Sequence, residues 1–135
     1  MARVLGVGGV FFKSPDPKAL GEWYSRWLGL RVEGWGGVAL APREMPPGGC
    51  TVWSPFKETS DYFAPSGKDF MFNLVVDDLD AALAQVAEGG AQVTGPVEEP
   101  NGRFGWFMDP DGNKVELWEP AAEDAAGGDA APAGG

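Results

Sequence analysis

Apolar residues recur at helical spacing in two places along the chain. In PDPKALGEWYSRWLGL (15–30), Leu20, Trp23, Tyr24, Trp27 and Leu28 fall at i, i+3, i+4, i+7 and i+8, which predicts one buried helical face. Asp16 suits the N-cap, Pro17 the first helical position and Gly29 the stop. Leu79, Ala82, Leu83, Val86 and Ala87 repeat the same spacing, with Asp77 or Asp78 as cap and Gly89-Gly90 as terminator. Around these helices run short β-prone segments. They are VLGVGGVFF (4–12), LRVEGW (30–35), GVALAP (37–42) and CTVWSP (50–55), then FMFNLVV (70–76), AQVTGP (91–96), GRFGWFM (102–108) and NKVELWE (113–119). DPDGN (109–113) is a turn between the last two strands. FKETSDYFAPSGKD (56–69) reads as a loop or short helix.

The order strand, helix, three strands therefore occurs twice. Internal repetition is the strongest organisational signal in the chain. Asp16 matches Asp78 at an offset of 62, and CTVWSP matches VELWEP at an offset of 65, pairing Trp53 with Trp118 and Pro55 with Pro120. The class expected is α+β, with module one at about 4–56 and module two at about 70–120 inside a single domain, 1–120.

Composition narrows the function. The chain has 135 residues and a hydrophobic fraction of 44%, enough for a sizeable core. Residues 121–135, AAEDAAGGDAAPAGG, cannot bury enough apolar surface to offset chain entropy and read as a disordered tail. The net charge is −10 and Lys and Arg form no run, which argues against nucleic acid as a partner. An acidic surface would steer a cationic small molecule, and it is equally an ordinary solubility device. No apolar stretch is long enough to span a bilayer and no leading segment reads as a signal, so a cytoplasmic protein without a membrane partner is expected. Histidine is absent, which removes a Ser-His-Asp triad and a histidine proton shuttle. The lone Cys50 reads as a packed strand residue.

The repeat, together with DPDGNKVEL, VVDDLDAALAQVAEGGAQV and WYSRWLGLRV in this order, resembles the vicinal oxygen chelate superfamily, which holds glyoxalase I, bleomycin-resistance proteins and extradiol dioxygenases. The likeness covers residues 4 to about 120. It implies two βαβββ modules curled into a half-open sheet around a cleft, and a homodimer. In metal-using members each module offers two slots to the ion. By the internal offsets these slots fall on Gly9, Thr51, Met71 and Glu116. Gly9 has no side chain, Thr51 is a weak neutral donor, and the Met71 thioether suits soft ions. Only Glu116 is a strong ligand, whereas a catalytic divalent site normally needs about three. The expectation is no family-type metal and no other cofactor.

Strand alternation then predicts the cleft face. Phe11 follows Gly9, Trp53 follows Thr51, Asn73 follows Met71 and Trp118 follows Glu116. The other parity, Val10, Phe12, Val52, Phe72, Leu74, Val115 and Leu117, should pack under the helices. Arg103, Phe104 and Trp106 lie on the neighbouring strand with their facing open. The candidate ligand-binding set is thus Phe11, Thr51, Trp53, Met71, Asn73, Arg103, Trp106, Glu116 and Trp118. An apolar, aromatic cleft with few polar groups suits a small organic ligand. Residues 56–69 would cover it as a lid, with Phe56, Tyr62 and Phe63 pointing inward, or would simply connect the modules. The leading expectation is a metal-free, resistance-like binder of an aromatic or cationic compound. The alternative is a glyoxalase-like or dioxygenase-like enzyme, metal-free with Glu116 as general base or with an atypical metal site.

Overall fold

The computed structural model describes residues 1–3, 5 and 7–121. The tail expected at 121–135 lies outside the described residues except for Ala121, as do Val4 and Gly6 of the first strand segment. The class is α+β. Among the described residues, two helices, α1 (Pro17–Leu28) and α2 (Leu79–Glu88), pack with four strands, β1 (Phe72–Val75), β2 (Val93–Glu99), β3 (Gly102–Met108) and β4 (Lys114–Pro120). The strands form one open, curled mixed sheet in the order β1-β4-β3-β2. β1 runs parallel to β4, and the other two pairings are antiparallel. Strand, helix and three strands in 72–120 thus form one complete βαβββ unit.

Both helices begin where capping chemistry places them. Asp16 accepts from the Ala19 amide at 3.1 Å and Asp78 from the Ala81 amide at 3.0 Å, satisfying donors the first turn would otherwise leave free. Glu119 adds a carboxylate at the α2 N-terminus, accepting from the Leu79 amide at 2.8 Å, where the helix dipole favours negative charge. Gly29 closes α1 at φ 71°, a left-handed conformation that glycine adopts without steric cost.

The core lies between the helices and one sheet face. Leu79, Ala82, Leu83 and Val86 of α2 and Leu20 and Tyr24 of α1 are buried against Phe107, Val115 and Leu117, with Phe72 and Leu74 beside them. Each fully buried Leu, Val or Phe contributes about 1.5–3 kcal/mol by leaving water. Phe72, Leu74, Val115 and Leu117 therefore take the side that alternation predicts. Ala87 does not, being exposed at the outer edge of the α2 stripe. The Trp23 indole donates to the Gly89 carbonyl at 3.1 Å and its ring stacks on Phe107 at 5.7 Å. Tyr24 donates to Asp109 at 2.8 Å, and that buried carboxylate also accepts from the Asp111 and Asn113 amides. Burial first, then Asp109, hold the Tyr24 hydroxyl far above the ordinary tyrosine range.

The first half departs from expectation. Among its described residues, 30–35, 37–42 and 50–55 form no ladder, and neither do residues 7–12. Instead a turn closes at 33–37, where the Glu33 amide donates to the Gly37 carbonyl at 2.8 Å, and a short 3-10 turn spans Pro42–Glu44. Val10, Phe12 and Val52, expected under the helices, are exposed, although the Phe12 ring meets Phe72 at 4.7 Å. The physical reason is compositional. Gly8, Gly9, Gly34, Gly36 and Gly37 offer no side chain to a pleated face, and Pro42, Pro46, Pro47 and Pro55 cannot donate to a ladder.

Candidate functional site

Glu116 sits in mid-β4, directly opposite Trp106 of β3 and Asn73 of β1. All three therefore share the face away from the helices. The Glu116 side chain is only 1% exposed, so its carboxylate needs partners to be tolerated. It has three. The Asn73 amide donates to Oε1 at 2.7 Å, the Trp106 indole to Oε2 at 2.9 Å, and the Tyr62 hydroxyl to Oε2 at 2.6 Å. Tyr62 comes from the 56–69 segment, which this bond fastens to the sheet. Its ring meets Trp106 edge-on at 6.3 Å and stacks on Phe56 at 5.7 Å, and Phe56 in turn meets Phe63 at 5.0 Å. Burial, and next the bond to Glu116, push the Tyr62 hydroxyl well above its ordinary range. Tyr62 is therefore a neutral donor near pH 7.

Lys114 flanks this cluster. Its ammonium donates to the Tyr62 carbonyl at 2.6 Å and lies 5.0 Å above the Tyr62 ring centre and 5.8 Å from that of Trp106. Such cation–π contacts strengthen as water is excluded. Partial burial pushes the Lys114 ammonium down, against the pull of the Glu116 and Asp61 charges. A pocket of about 140 Å³ opens here, lined by Pro65, Gln92, Thr94, Trp106, Met108 and Lys114 among others.

The arrangement does not fit a divalent ion. A metal needs lone pairs pointing at it, whereas Glu116 is met by O–H and N–H donors, and an indole nitrogen carries no available lone pair. Among the described residues, no three of Cys, Asp and Glu are grouped so as to hold a metal ion. Glu116 is equally constrained as a base, because both oxygens already accept hydrogen bonds. What the carboxylate does is orient Trp106, Tyr62 and Asn73 around one point.

Of the residues expected at the site, the structure brings together Asn73, Trp106 and Glu116. Trp118 shares their parity but is buried, stacked on Phe104 at 6.0 Å with its indole donating to the Asn101 carbonyl at 3.0 Å. Met71 is half-buried beside β1. Phe11 and Trp53, at 94% and 78% exposure, stand in solvent, as does Thr51. Phe11 lines a separate open groove of about 460 Å³ with Val10, Phe12, Lys13, Phe70 and Phe72. Arg103 is not part of the cluster. It points to the opposite face, where it pairs with Asp80 at 3.1 Å and Glu98 at 3.0 Å. Lys114, absent from the expected set, shares the strand parity that links Glu116 to Trp118. The Tyr62 contact crosses 54 residues of chain, and no local pattern marks it.

A family assignment follows from the whole chain. Residues 9–118 match the model of the glyoxalase-like domain family. The chain belongs to that family, within the vicinal oxygen chelate superfamily. CFP32 of Mycobacterium bovis, which carries a provisional glyoxylase name, is 30% identical over 131 residues, covering 82% of this chain and 44% of that protein. A Mycobacterium tuberculosis protein of the same name matches equally well. The chain thus spans less than half the length of the curated relatives it matches. Among solved structures, TnmS3, an antibiotic binding protein from Streptomyces sp. CB03234, superposes with a TM-score of 0.56 at 23% identity, covering 90% of this chain and 100% of that one. A glyoxylase/bleomycin resistance protein/dioxygenase domain from Frankia sp. EAN1pec gives 0.54 at 20% identity, with 88% and 100% covered. At such identities the likeness concerns the fold.

Proposed function

We propose that this chain binds an aromatic small molecule on the concave sheet face and does so without a resident metal. The observation that carries the reading is the cluster at Glu116, where one buried carboxylate orients Tyr62, Asn73 and Trp106 beside a pocket. Rings held at fixed angles cost little entropy when a flat ligand arrives. The antibiotic-binding role of TnmS3 lends support by analogy of fold. The aromatic half of the expectation is favoured over the cationic half, because the Glu116 oxygens are already occupied. The same occupancy makes the general-base enzyme the weaker alternative. In this proposal the 56–69 segment acts as a lid latched by Tyr62, and 1–120 works as one domain. The protein acts as a homodimer, in keeping with the exposed Phe11, Trp35, Leu40 and Trp53 side chains.

Native mass spectrometry of the purified protein tests this directly. The expected result is a dimer carrying an organic mass, with that mass lost on Trp106→Ala while the fold, read by circular dichroism, is kept. A stoichiometric divalent metal with no organic ligand would sink the proposal.

A further inference from the structure

The lining of the pocket beside the Glu116 cluster carries a charge opposite in sign to that of the protein as a whole, with the Glu116 and Asp61 carboxylates acting on it from outside the lining. The net charge is −10, yet among the described residues that line the pocket Lys114 is the one charged side chain. Glu116 does not line it and is enclosed by three donors. Of the three protons on the Lys114 ammonium, the Tyr62 carbonyl takes one, at 2.6 Å. The remaining lining divides into an apolar and a polar part. Trp106, Met108 and Pro65 offer a ring face, a thioether and an apolar edge, while Gln92 and Thr94 offer an amide and a hydroxyl. At about 140 Å³, the space approaches that of cavities of about 150 Å³ that accommodate benzene. One ring fits, and a fused system would have to extend out of the mouth.

We infer that this pocket selects a single-ring aromatic carboxylate, with the ring against Trp106 and Met108 and the carboxylate on the Lys114 ammonium. This rests on the small-molecule-binding reading above and adds the sign of the ligand's charge, which the acidity of the chain alone would have set the other way. A carboxylate on an ammonium is a charge-assisted contact, stronger than a neutral one. In this pocket a cationic ring would meet Lys114 and be repelled.

Calorimetric titration of the intact protein with three matched probes, benzoate, benzamide and benzylamine, decides the point. Benzoate should bind at least tenfold more tightly than benzamide, and benzylamine more weakly than either. Lys114→Gln should remove the benzoate preference, bringing benzoate to the level of benzamide, and Lys114→Arg should keep it. Should Lys114→Gln fail to fold, the wild-type ranking still decides. Benzamide or benzylamine binding as well as benzoate would overturn the inference, as would a preference that survives Lys114→Gln. If the protein retains an organic ligand in native mass spectrometry and shows no benzoate preference, the charge assignment falls and the binding proposal stands. If nothing is retained and no probe binds, both fall.

Discussion

Residues 70–120 and residues 7–55 both carry aromatic and β-branched strand segments, yet only the first of these stretches forms ladders among the described residues. In 70–120, Phe107, Val115 and Leu117 are at most 1% exposed. In 7–55, Trp35, Leu40 and Trp53 are all above two-thirds exposed. The difference lies in pairing. β4 has a neighbour on each side, and every residue from Lys114 to Pro120 has a partner on β3. A strand gains little from its own β-propensity, because side-chain packing on both faces and cross-strand contacts supply most of the stability. Segments rich in Gly and Pro depend on such neighbours most. Helix α1 is the exception in the first half, since it uses its apolar stripe on the second half's core.

The comparison can be broken most sharply by cutting a side chain in each region. Leu117→Ala should cost about 2–5 kcal/mol in denaturant unfolding, as buried Leu→Ala changes do. Trp53→Ala should stay within about 0.5 kcal/mol, as exposed substitutions do. A loss at Trp53 as large as that at Leu117 would mean that its segment is packed in solution, and would erase the contrast between the halves. An effect between those two is expected at Glu116. Glu116→Gln replaces an acceptor that serves three donors, and leaving a buried donor unmet costs about 1–3 kcal/mol. Amide exchange across 56–69 should quicken in that variant as Tyr62 loses its anchor. Unchanged exchange there would show that the Tyr62 bond does not hold the segment.

The alkaline limb sharpens the comparison further, because each tyrosine joins first-half or connecting chain to the second half. Both hydroxyls are raised in the fold, Tyr24 by burial and Asp109, Tyr62 by burial and Glu116. Below about pH 10, the ordinary tyrosine value, folded and unfolded states both hold the proton and the contribution is intact. Above it the unfolded chain releases protons that the fold retains, so stability falls as pH rises. The loss for buried Tyr24 approaches about 1.4 kcal/mol per pH unit, and that for Tyr62, nearer solvent, is smaller. With just two tyrosines in the chain, ultraviolet titration should show phenolate appearing together with unfolding. A gradual rise centred near pH 10 in the folded protein would contradict this.

Much of the second half was legible because it follows short-range rules. Asp16, Asp78 and Gly29 act through neighbours three or four residues away, and the parity of Phe72, Leu74, Val115 and Leu117 is set by alternation alone. The site was legible only in part. Alternation placed Asn73 and Glu116 together, and it contains the answer for Arg103, since a strand that turns Trp106 to the cleft turns Arg103 away. Lys114 follows from the same rule. Tyr62 does not, because its place depends on how a loop without periodicity folds back over β4. The described first-half segments form no ladder for a related reason. β-prone composition says that a segment can pair, while the partner's identity is set by contacts distant in sequence.

The Tyr24–Asp109 bond makes the physical seam of the molecule differ from the seam of its sequence repeat. A protease nick in 56–69 would separate the sequence repeat at its midpoint, yet the amino-terminal peptide would still carry α1, a wall of the carboxy-terminal peptide's core. The two pieces would remain clasped through Leu20, Trp23 and Tyr24. The two halves of the sequence repeat are therefore not interchangeable, one lending its helix to complete the other.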